Sequence, residues 1–133
     1  MKITADTNVL VRAAVQDDHD QAIQAANVLQ EAELIAVPLP VLCEFVWVLN
    51  RGYQIAAADI ANTIRQLMNT RNIEMNKPAV EAGLRVLNAG GDFADGVIAY
   101  EGEFLGSNQF VSFDKKAVSI LRSLGQSAQL LST

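Results

Sequence analysis

Lys2-Ile3-Thr4-Ala5-Asp6-Thr7-Asn8-Val9-Leu10-Val11-Arg12 opens the chain with a short strand that runs directly into a helix. Residues 2–5 read as a buried strand, and apolar spacing predicts a helix from Thr7 to about Val15. Asp6 stands at the junction, where a carboxylate can accept from the free N–H groups of the first helical turn. The same grammar returns late in the chain. Residues Gln109 to Ser112 are a strand, Asp114 follows, and a helix runs from Lys115 to about Leu124. Between them, Leu34 to Val37 is a strand ended by Pro38, and Pro40 suits the first turn of a helix to about Asn50. Helices are expected near 22–32, 56–69, 78–88 and 92–104, with short strands at 73–75 and 128–131. Short strands alternating with helices give an α/β class whose sheet is parallel and covered on both faces.

Composition narrows the rest. A chain of 133 residues, half apolar and 19% charged, is read as one domain over 1–133 with a real core. The lone cysteine, Cys43, lies in an apolar run and has no internal disulfide partner. The N-terminus lacks the apolar stretch of a signal peptide, and no apolar run reaches the roughly 18 residues a bilayer requires. A cytoplasmic protein with no membrane role is expected. The net charge of −5 argues against a broad basic face for nucleic acid. That objection weakens if acids hold metal: setting five of the fifteen aside leaves ten against ten bases.

The acids carry the chemistry. Asp6, Glu44, Asp95 and Asp114 each sit among apolar neighbours where burial is expected, and an unpartnered buried carboxylate is costly. Few basic residues fall nearby, so a divalent cation is the natural counter-charge. A plainer reading exists for four positions: Asp6, Asp92 and Asp114 all precede helices and suit N-caps, while Asp95 mimics a capping box. Glu44 lies inside an apolar helix, where capping offers no explanation. Asp6 and Asp114 project from the carboxyl ends of strands, the edge at which open parallel sheets bind ligands. Carboxylates without Cys or His suit Mg²⁺ or Mn²⁺ rather than zinc. The single histidine, His19, lies in a polar loop, which makes a nucleophilic triad implausible.

Together the segments Asp6-Thr7-Asn8-Val9-Leu10-Val11-Arg12, Glu44 before Trp47-Val48-Leu49, Asp92-Phe93-Ala94-Asp95 before Val97-Ile98-Ala99, and Ser112-Phe113-Asp114-Lys115-Lys116 resemble the PIN domain. Within it they are similar to the VapC toxins of bacterial VapBC toxin–antitoxin modules, from about Lys2 to Ala117. The resemblance implies a three-layer α/β domain with a central parallel sheet of four to five short strands flanked by helices. It implies a metal-holding catalytic quartet of Asp6, Glu44, Asp95 and Asp114, with Asp92 accessory and Thr7, Asn8 and Ser112 supporting. Two departures are mild: Gly96 stands where Ala is usual, and Ser112 where Thr is common.

The function so implied is a Mg²⁺-dependent endoribonuclease toxin. Its activated water would cleave RNA, tRNA in particular, to leave a 3′-hydroxyl and a 5′-phosphate. The implied partners are a VapB-like antitoxin and a second copy in a homodimer. The antitoxin would lay a helix against the apolar helix from Val41 to Leu49, provided that helix is not wholly buried. Arg12, Lys115 and Lys116, with Arg51 and Lys77, are candidate phosphate contacts, though each also reads as an ordinary surface charge. The alternative is a catalytically silent PIN-fold binding module. A phosphoryl-transfer enzyme with nucleophilic Asp6 needs an acid at position 8, which is Asn8. A receiver-like signalling domain does not suit Glu44 on a helix.

Overall fold

The computed structural model describes residues 1–132 and contains seven α-helices and five strands among them. Two compact units divide the chain, Met1–Asn76 and Lys77 onward.

In the first unit, β1 (Lys2–Thr4) is followed by α1 (Thr7–Val15) and α2 (His19–Glu31), then β2 (Leu34–Ala36) and α3 (Leu39–Trp47). A π-helical turn, Val48–Gly52, extends α3, and α4 (Ala57–Met68) and β3 (Ile73–Glu74) complete the unit. The order β1-β2-β3 is parallel throughout, with Ile3 opposite Ile35 and Ile35 opposite Ile73. Ile35, Leu42, Phe45, Leu49, Ile60 and Ile64 are fully buried here. Each such side chain contributes about 1.5–3 kcal/mol of burial. Pro38 closes β2 and precedes α3, where its missing N–H costs nothing. Asp18 caps α2 by accepting from the Gln21 N–H at 3.1 Å.

In the second unit, α5 (Lys77–Asn88) lies against α6 (Phe93–Phe104), and α7 (Lys115–Ser123) against β4 (Phe110–Ser112) and β5 (Ala128–Leu130). β4 and β5 are again parallel, with Val111 opposite Gln129. Val86, Ala99, Val118, Leu121 and Ala128 form the core, with Phe110 and Ile120 packed against it. Two glycines set the distance between α5 and α6. A Cβ on Gly96 would meet the backbone carbonyl of Ala82 and lie 2.8 Å from the Gly83 Cα. A Cβ on Gly83 would lie 2.6 Å from the buried Phe93 ring.

The α/β class, the parallel pairing and five short strands agree with the sequence reading. The strands are hydrogen-bonded as three and two. The helix expected to run to Asn50 instead stays α-helical to Trp47 and widens into the π turn.

Candidate functional site

Asp6 follows β1 and is the N-cap of α1, with its Oδ1 accepting the Thr7 N–H at 2.8 Å. Asp6 and Asn8 are exposed, whereas Thr7 is buried at the start of the helix. Within the same unit α1 packs against α3, the helix that carries Glu44. Glu44 is not buried. The buried side of α3 is Leu39, Leu42, Phe45 and Val46, while Pro40, Glu44 and Trp47 lie on the exposed side. Apolar neighbours in sequence are therefore no guide to its surroundings, because 3.6 residues per turn leave one side of the helix outside the core.

In the second unit Asp92 caps α6 and accepts the Ala94 N–H at 3.2 Å through Oδ1. Asp114 follows β4 and caps α7, its Oδ1 accepting from the Lys116 and Ala117 N–H groups at 3.0 and 3.1 Å. The Ser112 hydroxyl accepts the Asp114 N–H at 2.9 Å and so fixes the chain where it leaves the strand. Asp95 lies in the first turn of α6 and is partly buried. Its carboxyl is pushed above the usual range, first by that burial and then by the negative charges of Asp92 and Asp114. The charges of Asp92 and Asp114 are thus near enough to be felt at Asp95.

Asp6, Asp92 and Asp114 are exposed, as is Glu44, so the expectation of buried carboxylates holds only in part and only for Asp95. Of the four acids expected to cap, Asp6, Asp92 and Asp114 do so, and Asp95 lies in the first turn of α6 without accepting a capping bond among the described residues. Capping and ligation are nonetheless compatible. Each cap uses Oδ1, and a carboxylate has two oxygens with about four acceptor sites.

The PIN domain family matches residues 3–124 of the chain. The chain belongs to the PIN domain family. PIN domains are commonly nucleases, often metal-dependent ribonucleases. Comparison with curated proteins finds no match.

This PIN domain offers oxygen donors only at its candidate acids, a set that fits a hard cation such as Mg²⁺ or Mn²⁺. The repulsion on Asp95 is the kind of strain a cation relieves. Among the described residues no group of three or more His, Cys, Asp or Glu side chains is placed so as to hold a metal ion. The fit therefore rests on donor chemistry. Two clefts lie elsewhere, one of about 220 Å³ beside Ile98, Gly102 and Val111 and one of about 660 Å³ beside Glu33 and Arg71. None of the five acids lines either. No helix among the described residues is long and apolar enough to cross a membrane.

Of the candidate phosphate contacts, Lys115 and Lys116 are exposed directly after Asp114. Arg12 is already engaged. Its guanidinium donates to Gln21 Oε1 at 2.7 Å, Asp17 Oδ1 at 2.8 Å and the Tyr53 hydroxyl at 3.3 Å. The Tyr53 hydroxyl in turn donates to Asp17 Oδ2 at 2.8 Å. These bonds hold the Asp17 carboxyl below its ordinary range, the Tyr53 hydroxyl first and Arg12 after it. Left-handed residues Gln16 (φ 61°) and Gln54 (φ 56°) stand directly beside Asp17 and Tyr53. Sequence reading missed this clamp, since nothing local pairs residues 12, 17 and 53.

Proposed function

We propose that the protein is a Mg²⁺-dependent endoribonuclease and the toxin of a VapBC-type toxin–antitoxin module. The observation that supports it most is the Asp95 carboxyl, partly buried and set against the charges of Asp92 and Asp114 within a PIN domain. Perturbed carboxyls of this kind cluster at functional sites, and a divalent cation would relieve the repulsion on Asp95. The acids proposed to hold it are Asp6, Glu44, Asp95 and Asp114, with Asp92 accessory.

A bound divalent ion supplies charge neutralisation at the scissile phosphate and makes a water acidic enough to be a nucleophile near neutral pH. The chain's own part is positioning. The helix caps fix one oxygen of each of Asp6, Asp92 and Asp114, which sets the orientation of each carboxylate on its own helix. Ser112 holds the Asp114 backbone, and Thr7 keeps the start of α1 anchored in the core. Attack in line on phosphorus with loss of the 3′ oxygen leaves a 3′-hydroxyl and a 5′-phosphate. The proposed substrate is RNA, tRNA in particular. The proposed partners are a VapB-like antitoxin and a second copy of the chain.

Incubation of the purified protein with a tRNA pool, with Mg²⁺ or with EDTA, tests the reading. Cleavage is expected in Mg²⁺ alone, with 5′-phosphate ends that a phosphatase removes. Asp95→Asn and Asp6→Asn are each expected to lower the rate by about 10²–10³-fold. Wild-type rates in EDTA, or in Asp6→Asn, would refute the metal assignment. Growth arrest on expression, relieved by the product of a neighbouring small reading frame, tests the toxin role separately.

A further inference from the structure

We propose that Trp47 is a stacking platform for one unpaired base of the RNA, with Arg51 receiving a neighbouring phosphate. The inference rests on the nuclease reading above and adds to it a residue that selects the form of the substrate.

Trp47 ends α3 with 60% of its surface exposed, although Leu42, Phe45 and Val46 on the same helix are almost wholly buried. A lone exposed apolar residue is ordinary. What distinguishes this one is its company. Glu44 lies three residues before it, the spacing that places both side chains on one face of α3, and Arg51 follows four residues on, in the π-helical turn that continues the helix. Glu44, Trp47 and Arg51 are all exposed. An acid proposed to hold the ion and an aromatic ring therefore share one face of α3, and an exposed cation follows in the next turn. Among the described residues Arg51 makes no ion pair.

A second copy of the chain is the rival occupant, and area argues against it. A stable interface covers about 800 Å² on each partner, whereas one aromatic side chain supplies about 150–250 Å². Its exposed neighbours Glu44 and Arg51 are charged, and Pro40 adds only a small ring, so no broad apolar patch surrounds it. A nucleobase is the right size for a single ring, carries a π-face whatever its identity, and arrives with a phosphate for a basic side chain. The base must be unpaired and splayed out, since in a duplex it is already stacked on both sides. The platform thus selects single-stranded loops without reading sequence.

Trp47 is the only tryptophan, so intrinsic fluorescence reports on it alone. The experiment uses the full chain carrying Asp95→Asn, in Mg²⁺, titrated with unstructured RNA heptamers and separately with a perfect RNA duplex. Saturable quenching by the heptamers and little by the duplex is expected. By anisotropy of labelled heptamer, Trp47→Ala is expected to weaken binding about ten- to hundred-fold and Trp47→Phe much less. Arg51→Gln is expected to lower the slope of log affinity against log salt by about 0.7. In the active protein, Trp47→Ala is expected to raise KM with kcat nearly unchanged. Unaltered affinity and KM in Trp47→Ala would overturn the proposal while leaving the nuclease reading intact. Fluorescence that changes with protein concentration alone would overturn it in favour of a second copy. Saturable quenching in a wild-type protein that cleaves no RNA would support the platform and sink the catalytic reading.

Discussion

Replacing Gly96 with alanine adds one methyl group to α6 at the point where that helix touches the backbone of α5. The new Cβ would lie 2.8 Å from both the Ala82 carbonyl carbon and the Gly83 Cα, and closer still to the Ala82 oxygen. Ordinary carbon contacts are about 3.5–4.0 Å, so the helices must separate by roughly 1 Å. No side chain is there to swing aside. Overpacking of this kind costs about 3 kcal/mol, near the top of its usual range, because rigid backbone must yield. Alanine returns about 1 kcal/mol through its better helix propensity. The net loss is about 2 kcal/mol, or a fall in Tm of roughly 8 °C for a chain of this length. Urea unfolding followed by far-ultraviolet circular dichroism measures it as a lower midpoint at unchanged slope. An alanine variant as stable as the parent, or more stable, would show that α5 and α6 do not approach as described. The same separation displaces the first turn of α6, so Asp95 moves and RNA cleavage should fall with stability.

Further expectations can be checked with the same protein. Gly83→Ala also loses stability, but less than Gly96→Ala, because its Cβ meets the Phe93 ring, which can shift, rather than backbone. Asp95→Asn in EDTA should be more stable than the parent at pH 7. A carboxyl raised in the folded state contributes stability fully below its unfolded value near 3.8 and loses it as pH rises through the folded value, so the gain shrinks toward pH 3 in thermal melts. Tyr53→Phe removes the largest influence on Asp17. A lowered acid contributes stability above its unfolded value that disappears as pH falls through the folded one, so this variant should be less stable at pH 7 and lose less between pH 5 and 2. Ser112→Ala should reduce cleavage about 10–100-fold through Asp114 while leaving the fold intact by circular dichroism.

The alternation of strands and helices was legible because each boundary has its own chemistry. Asp6 and Asp114 mark strand-to-helix turns, and Pro38 and the Gly90-Gly91 pair mark ends. Placement of acids at strand ends followed from that alone. Their burial did not. Counting apolar neighbours made Glu44 look enclosed, yet helix geometry puts it beside Trp47 on the exposed side. Gly96 looked like a mild departure from the family, and only the approach of α5 shows that alanine has no room there. The Arg12–Asp17–Tyr53 clamp was illegible for a plainer reason, since one partner lies 41 residues from another.

The π-helical turn at Val48–Gly52 has a consequence for length rather than composition. The Tyr53 N–H donates to the Val48 carbonyl at 3.2 Å, five residues back instead of four. Such a turn is an α-helix carrying one inserted residue. Deleting any one residue between 48 and 52 would let the helix close with ordinary bonds at little local cost. Five residues of the wide turn cover nearly the rotation that four cover in an α-helix, about 400°, so the chain after it would keep its phase and Tyr53 its place beside Asp17 and Arg12. A single deletion in this segment should therefore be tolerated far better than one inside α3, which would turn everything after it by about 100°.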